Sequence, residues 1–516
     1  MIRRNIYKTA GYLALLATLF ISACGTLKTP PPQPRVVSLR PAAAGLTAEV
    51  AKVVSDSFGP KQSGFFPLIR NRDGLTWRLA LADHAVSSID AQYFIWQDDA
   101  AGNLLFDRLL RAADRGVRVR LLVDDMVLAA KDREIAAISR HPNFKIKIFN
   151  PGNVRDSTLG AIGDFFIYFK ELNRRMHNKL FVVDNRMAIV GGRNIGNEYF
   201  GLGKKYNFRD LDVLVAGPVV AELSDAFDIY WNAELSYPGA AMSTQAKIEE
   251  VSLIRDQLSV YINEHSEQLS AYPLIPKRWD RDLLALPLLM KPGTAHFLQD
   301  KPVHFDGEDH RLLDMLDYLA APNHEQLIIL TPYLIPVAGL LEHLARLSSE
   351  GVKIKILTGS MGSNNHTVAH SHYKKYRRPI LATGAELFEF RHDPSPSARQ
   401  NADVEPVQAG FISLHVKALV GDGKRCFIGS LNLDPRAIEI NTENGLYIES
   451  PELAQLLTAE FEKMMAPENA WRVYLDDNNQ LRWASESGVV TSQPARSFGQ
   501  RIADFFFRLL PIESQL

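Results

Sequence analysis

The stretch HNKLFVVDNRMAIVGGRN, from His177 to Asn194, decides how this chain folds. Its apolar residues predict a buried strand over residues 180–183, a turn, and a second strand that ends at a glycine pair. Polar residues flank the first strand, and among them are His177, Lys179 and Asp184. Because side chains two residues apart in a strand point to the same face, we expect His177 and Lys179 to project together.

A second copy of this stretch, HVKALVGDGKRCFIGSLN, runs from His415 to Asn432. Both copies fit the pattern H-x-K-x4-D-x6-G-[GS]-x-N without a gap. The shared positions are His177, Lys179, Asp184, Gly191, Gly192 and Asn194 in the first copy and His415, Lys417, Asp422, Gly429, Ser430 and Asn432 in the second. At average residue frequencies, H-x-K-x4-D alone occurs at roughly one position in ten thousand, so two aligned copies indicate a duplication.

The sequence around each motif supports an internal repeat. Residues 88–124 and 326–358 both read as a strand, a loop, an amphipathic helix and a second strand. We align Tyr93 with Tyr333, and Gly116 with Gly351. This order predicts parallel pairing through a crossover and therefore an α/β fold in both halves. Many α/β proteins contain such units, and it is the duplicated motif that makes this one a repeat.

Length and charge narrow the possible functions. A chain of 516 residues suggests two or three domains, and its 46% hydrophobic content is that of a globular protein. The formal net charge of -1 provides no overall attraction for a polyanion, so nucleic acid is not an expected partner.

The N-terminus predicts export. Arg3, Arg4 and Lys8 precede a short apolar run over residues 11–21, which is typical of a signal peptide. The following Ser-Ala-Cys resembles the lipobox of bacterial lipoproteins, which implies lipid attachment at Cys24 and a location in the cell envelope, facing the periplasm. The glycine after Cys24 favours the outer membrane. The alternative is a plain signal peptide or signal anchor with an incidental cysteine.

The duplicated residues suit a phosphate ester. The sequence contains no HExxH, CxxC or EF-hand pattern, and it lacks the GxSxG and GxxxxGK[ST] signatures. What remains is two imidazoles, two ammonium groups and two amides related by the repeat. One histidine can attack phosphorus, the other can protonate the departing oxygen, and lysines and asparagines can hold the remaining oxygens.

These motifs resemble the two HKD motifs of the phospholipase D superfamily, in particular its bacterial cardiolipin synthase C-like branch. The resemblance rests on RRMHNKLFVVD, GGRNIGNEYFG and RDLDVLVAGPVV in the first half and FIGSLNLDPRAIEINTENGLYIESP in the second, and it spans roughly residues 68–451. It implies a duplicated phospholipase D-like α/β fold, with two βα-sandwich lobes related by pseudo-twofold symmetry and one shared active site. It also implies phosphatidyl transfer through a phosphohistidine, without a metal or another cofactor.

The resemblance assigns roles to individual residues. His177 is expected to be the nucleophile, and His415 the general acid and then the general base. The expected ligands of the substrate phosphate are Lys179, Asn194, Lys417, Ser430 and Asn432. Asp184 and Asp422 complete the catalytic motifs, although we expect them to tie a hairpin to neighbouring backbone rather than to contact substrate.

Relatives also orient each imidazole with a downstream carboxylate. Aligning the repeats at Pro218 and Pro451 places Asp210 opposite Glu443. Asp212 is the alternative to Asp210, because it lies two residues further on and would face the same way.

The predicted organisation has six parts. They are a signal peptide (1–23), Cys24 with a Pro-rich linker (24–45), a first lobe (46–236), a connecting region (237–315), a second lobe (316–465) and a C-terminal extension (466–516). The connecting region contains no motif that we can interpret, and it could shape an entrance for lipid.

Three features of the sequence each allow two interpretations. Arg209 and Arg436 could form salt bridges or bind phosphate. The basic run AHSHYKKYRR over residues 369–378 could be a solvated helix face or a partner for lipid phosphate. The C-terminal RIADFFFRLLPIESQL could be a helix packed on the core, which we favour slightly, or an interfacial helix that reaches a bilayer.

The predicted function is transfer of a phosphatidyl group onto phosphatidylglycerol to make cardiolipin, with phosphatidylethanolamine as a possible donor. Hydrolysis of phospholipids at the same site is the first alternative, because no residue decides whether water or an alcohol accepts the group. A periplasmic phosphodiesterase or nuclease is less favoured. A lipid-binding protein without activity is least favoured, because both motifs are intact.

Overall fold

The computed structural model describes residues 27, 32–125, 131–153, 155, 172–302, 325–510 and 512–516. The predicted signal peptide and Cys24 lie outside the described residues. The strands are β1 (Ser63–Leu68), β2 (Ser88–Tyr93), β3 (Arg118–Asp124), β4 (Phe144–Phe149), β5 (Leu180–Val183), β6 (Met187–Gly191), β7 (Tyr206–Arg209), β8 (Asp212–Ala216), β9 (Ser236–Pro238), β10 (Lys291–Gln299), β11 (Gln326–Leu330), β12 (Lys353–Gly359), β13 (Glu386–Phe390), β14 (Phe411–Leu414), β15 (Ala418–Gly421), β16 (Arg425–Gly429), β17 (Asn444–Glu449), β18 (Ala470–Leu475), β19 (Leu481–Ser485) and β20 (Gly488–Val490). The α-helices are α1 (Leu46–Phe58), α2 (Asn71–His84), α3 (Ala100–Asp114), α4 (Asp132–Ile138), α5 (Val219–Trp231), α6 (Glu250–Glu264), α7 (Asp280–Ala285), α8 (Leu340–Ser349), α9 (Thr367–Tyr373), α10 (Arg377–Ala382), α11 (Pro396–Arg399), α12 (Pro451–Met465) and α13 (Phe498–Phe507).

The two halves have the same strand order. The first runs β4-β3-β2-β5-β6-β8 and the second β13-β12-β11-β15-β16-β17. Strand β2 pairs in parallel with β3, and β11 with β12, each through a crossover that contains a helix. The predicted duplicated α/β fold is confirmed.

The connecting region joins the two sheets. Strand β10 pairs antiparallel with β1 at its start, where Gly293 lies opposite Ser63, and with β17 from Thr294 onward, where Thr294 lies opposite Glu449. Strands β7 and β14 add a second link, because they pair in parallel across the halves. Part of the region predicted as an insert therefore fixes one half against the other.

The predicted alignment of Tyr93 with Tyr333 is wrong by two residues. Ile89 of β2 pairs with Val183, and Leu327 of β11 pairs with Gly421, the residues just before Asp184 and Asp422. Tyr93 therefore corresponds to Thr331. A two-residue shift leaves every side chain on its own face of a strand, so the pattern of apolar residues could not detect it.

The motif aspartates hold the hairpins and do not face the substrate cavity. Asp184 and Asp422 adopt positive φ values of 56° and 51° at the β5-β6 and β15-β16 turns, where Asp is among the residues that tolerate this conformation. The Asp184 carboxylate accepts hydrogen bonds from the Ser87 amide at 2.7 Å and the Thr47 hydroxyl at 2.8 Å, and Asp422 accepts from the Gln326 amide at 3.0 Å. Their inclusion among the catalytic candidates is corrected here.

A shared apolar core lies between the halves. It combines side chains of β5 and β15, such as Val182 and Val420, with helices α5 and α12, and it contains Cys426 of β16. Buried apolar surface stabilises a fold roughly in proportion to its area. This core therefore holds the two motifs in fixed positions.

Candidate active site

The two motif histidines line one cavity of about 280 Å³. Both lie just before β5 and β15. We had expected them to lie within those strands. The backbone of each is held by the other half: the His177 amide donates to the Thr442 carbonyl at 2.9 Å, and the His415 amide donates to the Arg209 carbonyl at 2.8 Å. The shared site therefore depends on both halves at the level of the backbone.

Each imidazole is oriented by a carboxylate from the opposite half. His177 Nδ1 lies 2.8 Å from Glu443 Oε2, and His415 Nδ1 lies 2.6 Å from Asp210 Oδ2. The two carboxylates are those that the sequence singled out, but only His177 has a downstream partner; Asp210 precedes His415. With Nδ1–H donated to a carboxylate, Nε2 is the nitrogen left to react.

Asp212, the alternative to Asp210, has another role. Its carboxylate lies 3.0 Å from Arg78 and 3.3 Å from Arg193, and all three side chains are fully buried. It therefore forms ion pairs with two buried arginines, and it does not contact an imidazole.

The two motif lysines are buried next to the histidines, and neither is among the residues that line the cavity. Lys179 Nζ donates to the His177 carbonyl at 2.6 Å, and Lys417 Nζ donates to the His415 carbonyl at 2.7 Å. Both side chains are buried, which lowers the pKa of Lys179 to about 7 and that of Lys417 to about 8. An anionic phosphate would restore their charge, because it favours the protonated form.

The two imidazole–carboxylate pairs differ in charge. Burial and the nearby ammonium groups hold the pKa of His177 well below its usual value, and similar causes lower that of His415 to about 4. The charges of His415 and Lys417 outweigh burial and lower the pKa of Asp210 to about 2. Burial instead raises the pKa of Glu443 well above its usual value. His415 thus has the more firmly ionised partner.

The other predicted phosphate ligands divide into two groups. Asn194 and Asn432 line the cavity; the Asn194 side chain accepts from the Ile95 amide at 3.1 Å and donates to Tyr199 at 2.9 Å, while the buried Asn432 Oδ1 has no partner among the described residues. Ser430 does not line the cavity, because its hydroxyl donates to the Glu443 carboxylate. Its predicted role as a phosphate ligand is corrected to that of a positioning residue.

Replacement of Ser430 by alanine tests this assignment. We expect Ser430→Ala to lower kcat roughly tenfold with little change in KM, because it removes a hydrogen bond to a buried carboxylate worth about 1.5 kcal/mol. Steady-state kinetics measure the effect, and Ser430→Thr, which keeps the hydroxyl, is the matched control. An increase in KM alone would instead restore Ser430 as a phosphate ligand.

Aromatic rings flank both imidazoles. Phe94 packs on His177 with ring centres 4.9 Å apart, and Phe208 and Tyr199 pack on His415 at 4.5 and 5.4 Å. The sequence did not identify these residues as part of the site. Tyr199 lies in the quoted GGRNIGNEYFG, and its proximity to the motif was the only feature of the sequence that could have identified it.

The last two residues of the chain also line the cavity. Gln515 and Leu516 lie beside Arg436, whose guanidinium donates to the Gln515 carbonyl at 3.2 Å and to the Asn173 carbonyl at 2.9 Å. Arg436 thus reaches the cavity wall, whereas Arg209 pairs with Glu460 at 2.6 Å and is a salt-bridge residue. Nothing in the sequence indicated that the C-terminus would reach the site.

The basic run over residues 369–378 is mostly paired. His370 Nδ1 lies 3.1 Å from Asp504, Lys374 pairs with the same carboxylate, and Arg377 lies 2.6 Å from Glu389. This run is therefore neither a solvated helix face nor an open phosphate site. It instead binds α13 and positions α9, whose Val368 and Ala369 line the cavity. Among the described residues, no group of three His, Cys, Asp or Glu side chains is arranged to hold a metal ion.

Comparison with known proteins agrees with this geometry. A family profile described as "Cardiolipin synthase, PLD-like domain" matches residues 79–231 and 316–465, which contain both motifs. The chain belongs to this phospholipase D-like family. Within the family, it is 36% identical to cardiolipin synthase C of Escherichia coli strain K12 over 481 residues, which cover 88% of this chain and 96% of that protein.

More distant similarities extend to another cardiolipin synthase and to a solved structure. A cardiolipin synthase of Oceanobacillus iheyensis is 25% identical over 381 residues, covering 74% of this chain and 64% of that protein. Among solved structures, the phosphatidylserine synthase of Haemophilus influenzae Rd KW20 superposes with a TM-score of 0.56 at 17% identity, covering 90% of this chain and all of that one. The latter match shows that the PLD-like fold is shared.

Proposed function

We propose that this protein is a phosphatidyltransferase that makes cardiolipin. The observation that carries the proposal is that two imidazoles lie in one cavity, each held at Nδ1 by a buried carboxylate. A buried lysine lies next to each of the two histidines. The similarity to cardiolipin synthase C over most of both chains supports the choice of acceptor.

In the first half-reaction, His177 Nε2 attacks the phosphorus of a donor phospholipid. A P–N bond forms and the bond from phosphorus to the head-group oxygen breaks, while His415 donates its Nε2 proton to that oxygen. The charge difference between the pairs supports these roles. The pKa values of both histidines are lowered, which keeps His177 unprotonated, whereas the ionised Asp210 and an anionic phosphate in the cavity would favour the imidazolium that His415 needs as an acid.

In the second half-reaction, a hydroxyl of phosphatidylglycerol replaces the departed head group. His415 removes the hydroxyl proton, the oxygen attacks phosphorus, and the P–N bond breaks to release cardiolipin and free His177. Lys179 and Lys417 stabilise the charge that develops on the phosphate oxygens.

The lysine pKa values predict how catalysis depends on pH. An ammonium group is charged below its pKa, so attraction for phosphate is complete only well below pH 7 and is half lost at about pH 7 for Lys179 and about pH 8 for Lys417. We expect kcat/KM for a soluble short-chain substrate to fall at least roughly tenfold between pH 7 and 9, with a smaller change in kcat, because bound phosphate keeps the lysines protonated.

Lys179→Arg is the control for this pH profile. A guanidinium remains charged throughout this range, so the variant should show a flatter decrease above pH 7 at a lower overall rate. An unchanged decrease in the variant would assign the pH dependence to another group.

Product analysis tests the proposed function itself. The purified protein is supplied with phosphatidylglycerol, alone or with phosphatidylethanolamine, and the lipids are separated by mass. We expect cardiolipin together with glycerol or ethanolamine. Phosphatidic acid without cardiolipin would identify a hydrolase.

We also propose that Cys24 carries a lipid that anchors the protein in the bacterial cell envelope. Tethering would concentrate the active site at a surface where phospholipid substrates are found. Mass spectrometry of the purified N-terminus would detect the lipid, and Cys24→Ser should abolish it.

A further inference from the structure

Helix α13 presents an apolar face to solvent. Phe498 and Phe506 are 77% and 61% exposed, and with Ile502 and Phe505 they recur at helical spacing, which places them on one face of the helix. Leu509 and Leu510, exposed in the turn that follows the helix, extend this surface, and we call the six residues the outward face. Soluble monomers rarely expose contiguous large apolar side chains, so this face indicates a binding surface.

The polar side of α13 attaches it to the protein. Asp504 is buried and contacts His370 and Lys374 of the α9 region. Further on, Glu513 accepts from Tyr376 at 2.5 Å and lies 3.2 Å from His372. The helix packs on the protein, as we slightly favoured, but it does so through Asp504 and the segment after the helix, and the outward face remains uncovered.

The attachment places the outward face beside the active site. Helix α9, which contacts α13, lines the cavity with Val368 and Ala369, and the segment after α13 ends in Gln515 and Leu516 at the cavity wall. A surface that receives the outward face would thus lie next to the place where substrate enters.

Basic groups border the outward face. A cleft of about 340 Å³ lies between α9 and the end of α13, lined by Lys375, Arg508, His372 and Glu513 together with Leu509 and Leu510. His372 is buried, and its Nε2 has no partner among the described residues. Arg508 lies exposed between the apolar side chains, so that apolar and cationic groups occur together, as on helices that lie in a membrane interface.

We propose that the outward face of α13 docks on a phospholipid bilayer and aligns the active-site cavity with the lipid head groups. The proposal rests on the proposed function, since a phospholipid substrate is what makes a bilayer the partner. The apolar side chains enter the boundary between head groups and acyl chains, and the exposed Arg508 meets anionic head groups. No helix among the described residues is long and apolar enough to span a bilayer, so this contact is interfacial.

Depth-dependent quenching tests the docking directly. Phe506→Trp in the full chain is mixed with phosphatidylglycerol vesicles that contain brominated lipids, and its emission is compared with that of the parent protein. The control is Leu253→Trp, because Leu253 is 57% exposed on α6, which packs on α3 and α4 in the first half. We expect bromine to quench the tryptophan at 506 and not the one at 253. Equal quenching, or none at 506, would overturn the proposal.

A kinetic comparison separates docking from folding and from chemistry. We expect the double variant Phe505→Ser with Phe506→Ser to lose roughly tenfold or more in kcat/KM on long-chain vesicles and nothing on monomeric short-chain phosphatidylglycerol, with Leu253→Ser unchanged on both. Equal losses on both substrates would make α13 a structural helix. A dimer that dissociates in the double variant, without quenching in the first experiment, would make a second copy the partner.

Failure of the proposed function would give a different result. In that case the wild type would form no cardiolipin from either substrate, while quenching at position 506 would still report whether the outward face enters the bilayer.

Discussion

Replacement of His177 by alanine is expected to abolish phosphatidyl transfer, with a loss of at least roughly ten-thousandfold in kcat. The variant lacks the nitrogen that would bond to phosphorus, and no other imidazole among the described residues is paired with Glu443. His415→Ala should be similarly inactive with natural donors, because their head-group oxygen must be protonated as it leaves. Loss of activity alone therefore does not distinguish the two histidines.

A donor with a good leaving group makes the distinction. The oxygen of a short-chain phosphatidyl p-nitrophenol needs no proton to depart, so His415→Ala should release one equivalent of p-nitrophenol rapidly and accumulate a phosphatidyl-enzyme. His177→Ala should release none. Rapid-quench kinetics and mass spectrometry of the trapped protein measure both. A burst in His177→Ala and none in His415→Ala would exchange the roles, and His296→Ala, at an exposed histidine, should behave like the wild type.

Replacement of Glu443 by glutamine is expected to lower kcat roughly hundredfold by slowing formation of the phosphatidyl-enzyme. Glutamine is nearly isosteric, but it lacks a negative charge and can present its amide group to His177 Nδ1, which would disfavour the reactive tautomer. Asp210→Asn acts on His415 and should slow the breakdown of the phosphatidyl-enzyme instead. The burst with the p-nitrophenyl donor separates the two effects.

This comparison tests the crossed pairing. If each carboxylate served the histidine of its own half, Asp210→Asn would slow the burst and Glu443→Gln the breakdown. Glu449→Gln, at an exposed position at the end of β17, is the matched control and should change neither step.

The site residues could be predicted from the sequence because the repeat occurs twice. Two aligned copies of the motif singled out both histidines and lysines, and a second alignment, at Pro218 and Pro451, picked out Asp210 and Glu443. The strand pairing reproduces that correspondence: Met187 and Ala216 are partners in one half, as are Arg425 and Glu449 in the other. Equivalent positions can be read from a repeat, but contacts between repeats cannot.

Residues that meet across the halves were predicted less well. The aromatic rings around the imidazoles and the tail at Gln515 and Leu516 reach the cavity only through the docking of distant segments. Ser430 was assigned to phosphate, and its counterpart in the first motif is Gly192. Added to Gly192, a Cβ would lie 2.3 Å from Asp210 Oδ1, so there is no space for a hydroxyl there, whereas at Ser430 the hydroxyl reaches the longer Glu443.

The orientation of α13 could not be predicted from the sequence either. Periodic spacing identified an amphipathic helix, but a pattern of apolar residues does not say whether that face contacts the protein or the surroundings. The placement of Asp504 between His370 and Lys374 decided the orientation, and those partners are about 130 residues away in sequence.

The sequence by itself determined the duplicated α/β fold, the candidate site residues and the turns at Asp184 and Asp422, because strand periodicity, turn conformation and repeat offset are local properties of the chain. Only the tertiary structure decided that His177 is oriented by Glu443 and His415 by Asp210, that β10 joins the sheets, and that α13 turns its apolar face outward. Each of these depends on how two distant surfaces pack, and packing selects among partners that are equivalent in the repeat.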